Sequence, residues 1–139
     1  MRARASVFIA RAPDAVFRFV ADPSNDRLWR GHLTSSRGRV TGVGDRVTQV
    51  FAAAGQSKTI ELEVSEYQPP ERLSYRVKGP FRARLSFQFR PEAGGTRVSM
   101  SLSADVGGVA SLAEGRVEAE AVKLAVTDLS QLKRVLESV

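Results

Sequence analysis

The sequence contains no cysteine, which removes two classes of small protein from consideration. Without cysteine the chain can form neither a disulfide scaffold nor a cysteine-ligated zinc site. The absence is also typical of proteins that work in a reducing compartment, so the sequence favours a cytoplasmic location.

A long hydrophobic run is missing as well. The apolar stretch nearest the start covers only residues 7–10. This stretch is too short for the core of a signal peptide and far too short to cross a bilayer. The sequence therefore predicts no membrane span, which agrees with a cytoplasmic location.

Catalytic and cofactor motifs are scarce. His32 is the single histidine, and no carboxylate–histidine cluster has the spacing of a metal site. Neither a nucleophile elbow nor a phosphate-binding loop occurs, and Gly42 and Gly44 lack the third glycine of a dinucleotide-binding loop. We therefore predict no metal and no cofactor, and the sequence identifies no catalytic residue.

Negative charge is in the minority, since 21 Lys and Arg residues outnumber 15 Asp and Glu residues and give a formal net charge of +6. The arginines are scattered, and most alternate with apolar residues along apparent strands, which places them on the wet face of a sheet. The chain has no long basic run and no aromatic–glycine–aromatic signature of RNA binding. Solvation of these arginines is the favoured interpretation, so nucleic acid is not expected as a partner, and binding to nucleic acid or to an anionic surface is the alternative.

What is present fits one domain. A chain of 139 residues with 42% hydrophobic residues can fill one core, and we predict a single domain over residues 1–139. Residues 2–10 alternate as a first strand, and a short amphipathic helix follows over residues 13–21. Residues 22–25 break that helix, and a second short helix is predicted over residues 26–30.

From residue 34 to residue 105 the hydrophobic pattern has a period of two, which is typical of half-buried strands. Turns containing glycine or proline divide this region into about six antiparallel strands, the first of which is predicted to end at residues 39–41. Further along, apolar residues recur at helical spacing and predict a long helix over about residues 111–137. The clearest strand has its apolar residues at Phe81, Ala83, Leu85, Phe87 and Phe89.

The predicted fold class is therefore α+β. A curved antiparallel sheet of about six to seven strands wraps on the long C-terminal helix, and two short helices follow the first strand. A strongly curved sheet does not close completely on one straight helix, so an apolar cavity is expected between them. Small residues on the facing surfaces favour this cavity, and they are Ala53, Ala83, Ala104 and Ala121.

Four segments carry a resemblance to a known family. They are residues 15–23 with Trp29 after them, residues 42–45, residues 64–73 and residues 94–98. In order and local pattern the chain resembles the START-like, or Bet v 1-like, helix-grip superfamily (SRPBCC), in its bacterial polyketide cyclase/dehydrase and lipid-transport branch. The resemblance implies a helix-grip fold with a deep hydrophobic cavity for lipids, polyketides, quinones or hormones. It implies no shared chemistry, because members include carriers, cyclases, chaperone regulators and proteins described as toxins.

The cavity is expected to be lined from the inward faces of the strands and helices. Gln49 is a polar member of that lining, and its buried amide needs a ligand, a protein group or a buried water as its partner. The hydroxyl of Tyr75 could orient a ligand carbonyl, or it could find an ordinary protein partner. The predicted lining residues are Trp29, Gln49, Phe51, Leu62, Tyr75, Leu85, Phe87, Met100, Val117, Ala121 and Leu124.

Four further positions have two interpretations each. His32 could act as a general base near the pocket mouth, and a surface loop position is the alternative. Trp29 could cover the entrance or pack in the core. Glu114 and Arg116 flank the start of the long helix, where they could address a polar head group or remain solvated.

The leading hypothesis for function is noncovalent binding of a hydrophobic small molecule such as a lipid or polyketide, with transport or sensing as its use. An enzyme of the polyketide cyclase/dehydratase type is the first alternative, with Tyr75, Gln49 and His32 as its polar groups. A protein–protein module of the toxin or regulatory kind is the second. Both a monomer and a dimer are compatible with the sequence.

Overall fold

The computed structural model describes residues 1–53, 55–79, 82–105 and 114–138, with the side chains of Ala53 and Glu114 excepted. Two α-helices, α1 (Pro13–Val20) and α2 (Glu114–Glu137), and a 3-10 helix (Pro23–Leu28) accompany seven strands. The strands are β1 (Arg2–Ile9), β2 (Leu33–Gly38), β3 (Arg46–Ala53), β4 (Gln56–Gln68), β5 (Arg72–Lys78), β6 (Arg82–Glu92) and β7 (Gly95–Asp105).

The seven strands form one antiparallel sheet in the order β1-β7-β6-β5-β4-β3-β2. Strands β2 to β7 therefore lie beside their neighbours in sequence, whereas β1 pairs with β7 at the far edge. A register shift in the β3–β2 pair and another between Val64 and Glu66 of β4 interrupt the ladders. Such bulges increase the local bend of a sheet, and the result is a curled half-barrel around α2.

The first helix begins where the sequence predicts. Pro13 occupies the first turn, where its missing N–H leaves no bond unmade, and Asp14 places negative charge at the positive end of the helix dipole. Val16, Phe17 and Val20 share one face and are buried against the sheet. This helix covers one end of the half-barrel.

Two predicted boundaries are wrong, for local reasons. The second short helix begins at Pro23 rather than residue 26, because the Asp22 carboxylate accepts hydrogen bonds from the Ser24 N–H (3.0 Å) and hydroxyl (2.7 Å) and caps an earlier start. Strand β2 ends at Gly38, before residues 39–41, since Gly38 has a φ of 137° that turns the chain.

Helix α2 packs along β1 and is fastened near its C-terminus. The Lys133 ammonium donates to the Phe8 carbonyl (2.7 Å) and to the Glu137 carboxylate (2.8 Å), which also accepts the Ala10 N–H (2.8 Å). The buried core gathers from α1, the strands and the second half of α2. The predicted α+β helix-grip architecture is thus confirmed. Predictions for Phe81 and for residues 106–113 lie outside the described residues.

Candidate functional site

The concave face of the sheet and the first half of α2 leave a pocket of about 270 Å³ between them, called here the inner pocket. Twelve of the fifteen residues that line it are apolar, and Arg30, Gln49 and Asp128 are the polar ones. Leu124 is 40% exposed and therefore lies at the mouth. The apolar lining residues are Ala3, Phe51, Ile60, Leu62, Val77, Ala83, Leu85, Met100, Leu102, Ala121, Leu124 and Ala125.

Seven of the eleven residues predicted to line a cavity border the inner pocket. They are Gln49, Phe51, Leu62, Leu85, Met100, Ala121 and Leu124. The remaining four lie elsewhere. Trp29, Tyr75 and Phe87 are buried in the core, and Val117 is exposed on the first part of α2.

The buried aromatic residues fill the space at the other end of the half-barrel. The Phe17 ring packs edge-on against Phe89 (5.2 Å between ring centroids) and against Tyr67 (5.8 Å), and Trp29 packs edge-on against Phe87 (6.0 Å). Edge-to-face pairs of this kind are a stable packing mode for aromatic rings. Trp29 is thus buried and packs in the core.

Arg30 and Asp128 form a partly buried ion pair at one wall of the inner pocket. Arg30 Nε donates to Asp128 Oδ2 (3.2 Å), and the other carboxylate oxygen, Oδ1, accepts the Gly31 N–H (2.9 Å). The Arg30 guanidinium lies over the Trp29 ring, 5.4 Å from its centroid. Burial raises the pKa of Asp128, while the Gly31 N–H and Arg30 oppose that rise.

Gln49 is held by the buried carboxyl group of Asp26, which does not line the pocket. Its Nε2 donates to Asp26 Oδ2 (2.8 Å) and to the Ser36 hydroxyl (3.2 Å). Burial raises the pKa of Asp26 to about 7, although Arg30, Gln49 and Trp29 pull it down. Asp26 Oδ1 and Trp29 Nε1 are both buried without a hydrogen bond of ordinary geometry. Protein groups thereby pair with both N–H groups of the Gln49 amide.

Two of the predicted polar groups stand apart from the inner pocket. Burial, together with the charge of Asp26, raises the pKa of Tyr75 and keeps its hydroxyl protonated. His32 lies just before β2, outside the lining of the pocket, with a φ of 66°. Arg116 is exposed on α2, and the Glu114 side chain lies outside the described residues.

A larger and shallower groove of about 640 Å³ lies on the opposite face of the sheet. Its lining consists mostly of charged and hydroxyl-bearing residues, namely several serines together with Arg4, Arg72, Arg84 and Arg90. Glu66 pairs with Arg72 (3.9 Å) and Arg84 (3.6 Å) there. These arginines occupy the wet face that the alternating pattern indicates. An enclosed apolar pocket is the better candidate for a small-molecule site.

Sequence reasoning missed Arg30 and Asp128. Asp128 had a usable signal, because it follows Leu124 by four residues and precedes Leu132 by four, which places a carboxylate on the apolar stripe of α2. Arg30 had no such signal, since it lies just after a short 3-10 helix, where no repeating pattern predicts which way a side chain points. When a charged residue falls on the apolar stripe of a predicted helix, a residue of opposite charge should therefore be looked for as its partner, because the pair can mark a binding site.

The described parts of the chain lack two other kinds of feature. Their helices include none with the length and hydrophobicity required to cross a membrane. Within the same residues, no three histidine, aspartate or glutamate side chains gather as a metal site would require.

The comparisons with known proteins agree with this fold. The family model described as polyketide cyclase / dehydrase and lipid transport matches residues 1–137. The crystal structure of TTHA0849 from Thermus thermophilus has a TM-score of 0.84 and 21% identity, covering 99% of this chain and 98% of that one. A protein of unknown function, SA2116 from Staphylococcus aureus, has a TM-score of 0.82 and 13% identity, covering 99% and 94%. No curated protein matches the chain in sequence.

Proposed function

Because the chain belongs to the polyketide cyclase/dehydrase and lipid-transport family, we propose that it binds a hydrophobic small molecule noncovalently in the inner pocket, as a carrier or sensor. The observation that carries the proposal is the lining of that pocket, which is apolar at twelve of fifteen positions. A bound apolar molecule gains about 25 cal/mol for each Å² removed from water, before the costs of association.

Binding accounts for this lining better than the enzyme alternative does. Cyclase or dehydratase chemistry needs a carbonyl polariser and a base beside the ligand. Of the three polar groups considered for that role, Gln49 borders the inner pocket, whereas Tyr75 and His32 both lie outside its lining. We therefore propose a binding protein that releases its ligand chemically unchanged.

The test is native mass spectrometry of protein purified gently from its host, with solvent extraction and identification of what is released. We expect one hydrophobic compound at about one molecule per chain. The compound is expected to be absent from Ala121→Leu, which fills the pocket from α2, and retained by Ala119→Leu, which adds the same carbons at an exposed position two residues away.

Two results would contradict the proposal. One is an empty spectrum for the parent protein even after host extract is added back. The other is a compound held equally well by both variants, since that compound would sit outside the inner pocket. Chemical conversion of the compound during incubation would favour the enzyme alternative.

A further inference from the structure

The polar residues that line the inner pocket indicate which polar group the ligand carries in addition to its hydrophobic part. Arg30, Gln49 and Asp128 stand together there, and the other lining residues are apolar. We propose that the ligand is a small hydrophobic molecule with one neutral hydroxyl group, which accepts a hydrogen bond from Arg30 and donates one to Gln49. This inference rests on the proposed function and names the chemical class of its ligand.

Arg30 supplies the donor. Its Nε is committed to Asp128, and its guanidinium lies over Trp29. None of the described residues accepts a hydrogen bond from the two Nη atoms, although the side chain is only 12% exposed. A guanidinium has N–H groups at all three nitrogens. The N–H groups on the Nη atoms therefore remain available to an oxygen in the pocket.

Gln49 supplies the acceptor. Its Nε2 donates to Asp26 and to Ser36, which uses both hydrogens of the amide. Among the described residues, no group donates to Gln49 Oε1. Asp26 thus acts as a positioning residue, because its carboxylate holds the amide with the nitrogen turned away and leaves the carbonyl oxygen for a ligand.

Charge excludes a carboxylate as the polar group of the ligand. The positive charge of Arg30 is already opposed by Asp128 at 3.2 Å, and the buried carboxyl of Asp26 lies near the same guanidinium. Another carboxylate would add like charge in a poorly solvated place, at a large cost. A neutral oxygen has no such cost.

A hydroxyl also fits better than a ketone. A ketone accepts from Arg30 but has no hydrogen for Gln49 Oε1, and an acceptor that is desolvated without a partner weakens binding. A hydroxyl pairs with both groups. The volume of about 270 Å³ is slightly below the usual range for drug-sized ligands, so the molecule has about two fused rings rather than two acyl chains.

The experiment compares four probes of one skeleton by isothermal titration calorimetry on the intact protein at pH 7. They are naphthalene, 2-naphthol, 2-acetylnaphthalene and 2-naphthoate. We expect 2-naphthol to bind at least about tenfold more tightly than naphthalene. The ketone should lie between these two, and the carboxylate should bind most weakly.

Arg30→Lys provides the matched variant, because it keeps the positive charge near Asp128 and removes the planar array of donors. It should narrow the ratio of affinities between 2-naphthol and naphthalene to about threefold or less. Arg27→Lys, at an exposed arginine three residues earlier on the 3-10 helix that precedes Arg30, should keep the parent ratio. If Arg30→Lys does not fold, the ratios on the parent protein decide alone.

Equal affinity for naphthalene and 2-naphthol would overturn the inference, as would tightest binding of 2-naphthoate, while the proposed function would stand in both cases. Failure of all four probes to bind would also overturn it. The native mass measurement would then decide the proposed function separately.

Discussion

The two ends of the half-barrel are built from the same elements with side chains of different size. At the end covered by α1, called here the closed end, β1, β6 and α2 contribute Ile9, Phe89 and Leu132, which are all fully buried. At the other end, called the open end, the same three elements contribute Ala3, Ala83 and Ala121 around the inner pocket. The comparison shows that the pocket exists because side chains become smaller along each of these three elements towards the open end. No additional element is needed to form it.

The largest expected effect is on stability at the closed end. Leu132→Ala removes a side chain that is 0% exposed and leaves a cavity in a packed region, so we expect a loss of about 3 kcal/mol in the free energy of unfolding. Leu124→Ala, at the pocket mouth on the same helix, should cost less than about 1 kcal/mol. Urea denaturation of both variants measures the contrast, and equal losses would remove the distinction between the two ends.

The close packing of β1 against β7 near the closed end can be tested by a glycine-to-alanine substitution, which adds one carbon atom. A Cβ added at Gly95 would overlap the Ile9 carbonyl oxygen, which is backbone and cannot move aside cheaply. We expect Gly95→Ala to lose about 2 kcal/mol of stability. Gly79→Ala is the control, because no atom of the described residues lies within 4 Å of its added carbon. A stable Gly95→Ala in thermal and urea unfolding would show that β1 and β7 can separate there without cost.

The pH dependence of stability tests the polar side of the inner pocket, because Asp26, which holds Gln49, is buried where a charge is poorly solvated. Its pKa is raised by burial from 3.8 to about 7, so the folded protein binds a proton that the unfolded chain releases between these values. Stability should therefore fall as pH rises from about 4 to 7, by up to about 1.4 kcal/mol per pH unit, and then level off.

Asp26→Asn keeps the shape and removes the charge, so its stability should depend less on pH and exceed that of the parent at pH 8. Asp128, whose pKa is also raised by burial, leaves a residual slope of the same sign. Asp14→Asn, at an exposed position of α1, should keep the parent slope. Urea denaturation from pH 5 to pH 8 measures all three proteins, and an unchanged slope in Asp26→Asn would contradict the assignment.

The smallest effect is expected at the start of α2. No atom of the described residues lies within 4 Å of a Cβ added at Gly115, and its backbone is helical, so Gly115→Ala should raise stability by about 0.5 kcal/mol. Thermal unfolding should show a small increase in Tm. A decrease in Tm would mean that the first turn of α2 requires the backbone flexibility of glycine.

Most of the fold could be predicted because it depends on periodic patterns. Strict alternation places Leu85 and Phe87 inward, and helical spacing places Leu129 and Leu132 on the buried stripe of α2, as observed. The family resemblance is confirmed by the match to residues 1–137. The short helix after residue 22 is harder to place, because its start depends on one hydrogen-bonded side chain and not on a repeat.

The site could be predicted only in part, for a related reason. An inward position says that a residue is buried, but not at which end of the half-barrel it lies. Phe87 and Phe51 therefore look alike in the sequence, although Phe87 packs against Trp29 and Phe51 borders the inner pocket. Pairing Arg30 with Asp128 requires the three-dimensional approach of segments far apart in the chain.

The sheet order has a consequence for the assembly of the molecule. Strands β2 to β7 can zip together hairpin by hairpin, since each pairs with its neighbour in sequence. Strand β1 must wait for β7, with Arg2 opposite Ser103, and so closes a loop of about one hundred residues. Because α2 lies along β1, we expect this strand and the long helix to dock late and together. The wall that completes the inner pocket would then be the last part of the molecule to form, and a ligand that binds only the finished pocket would stabilise the folded protein chiefly by slowing its unfolding.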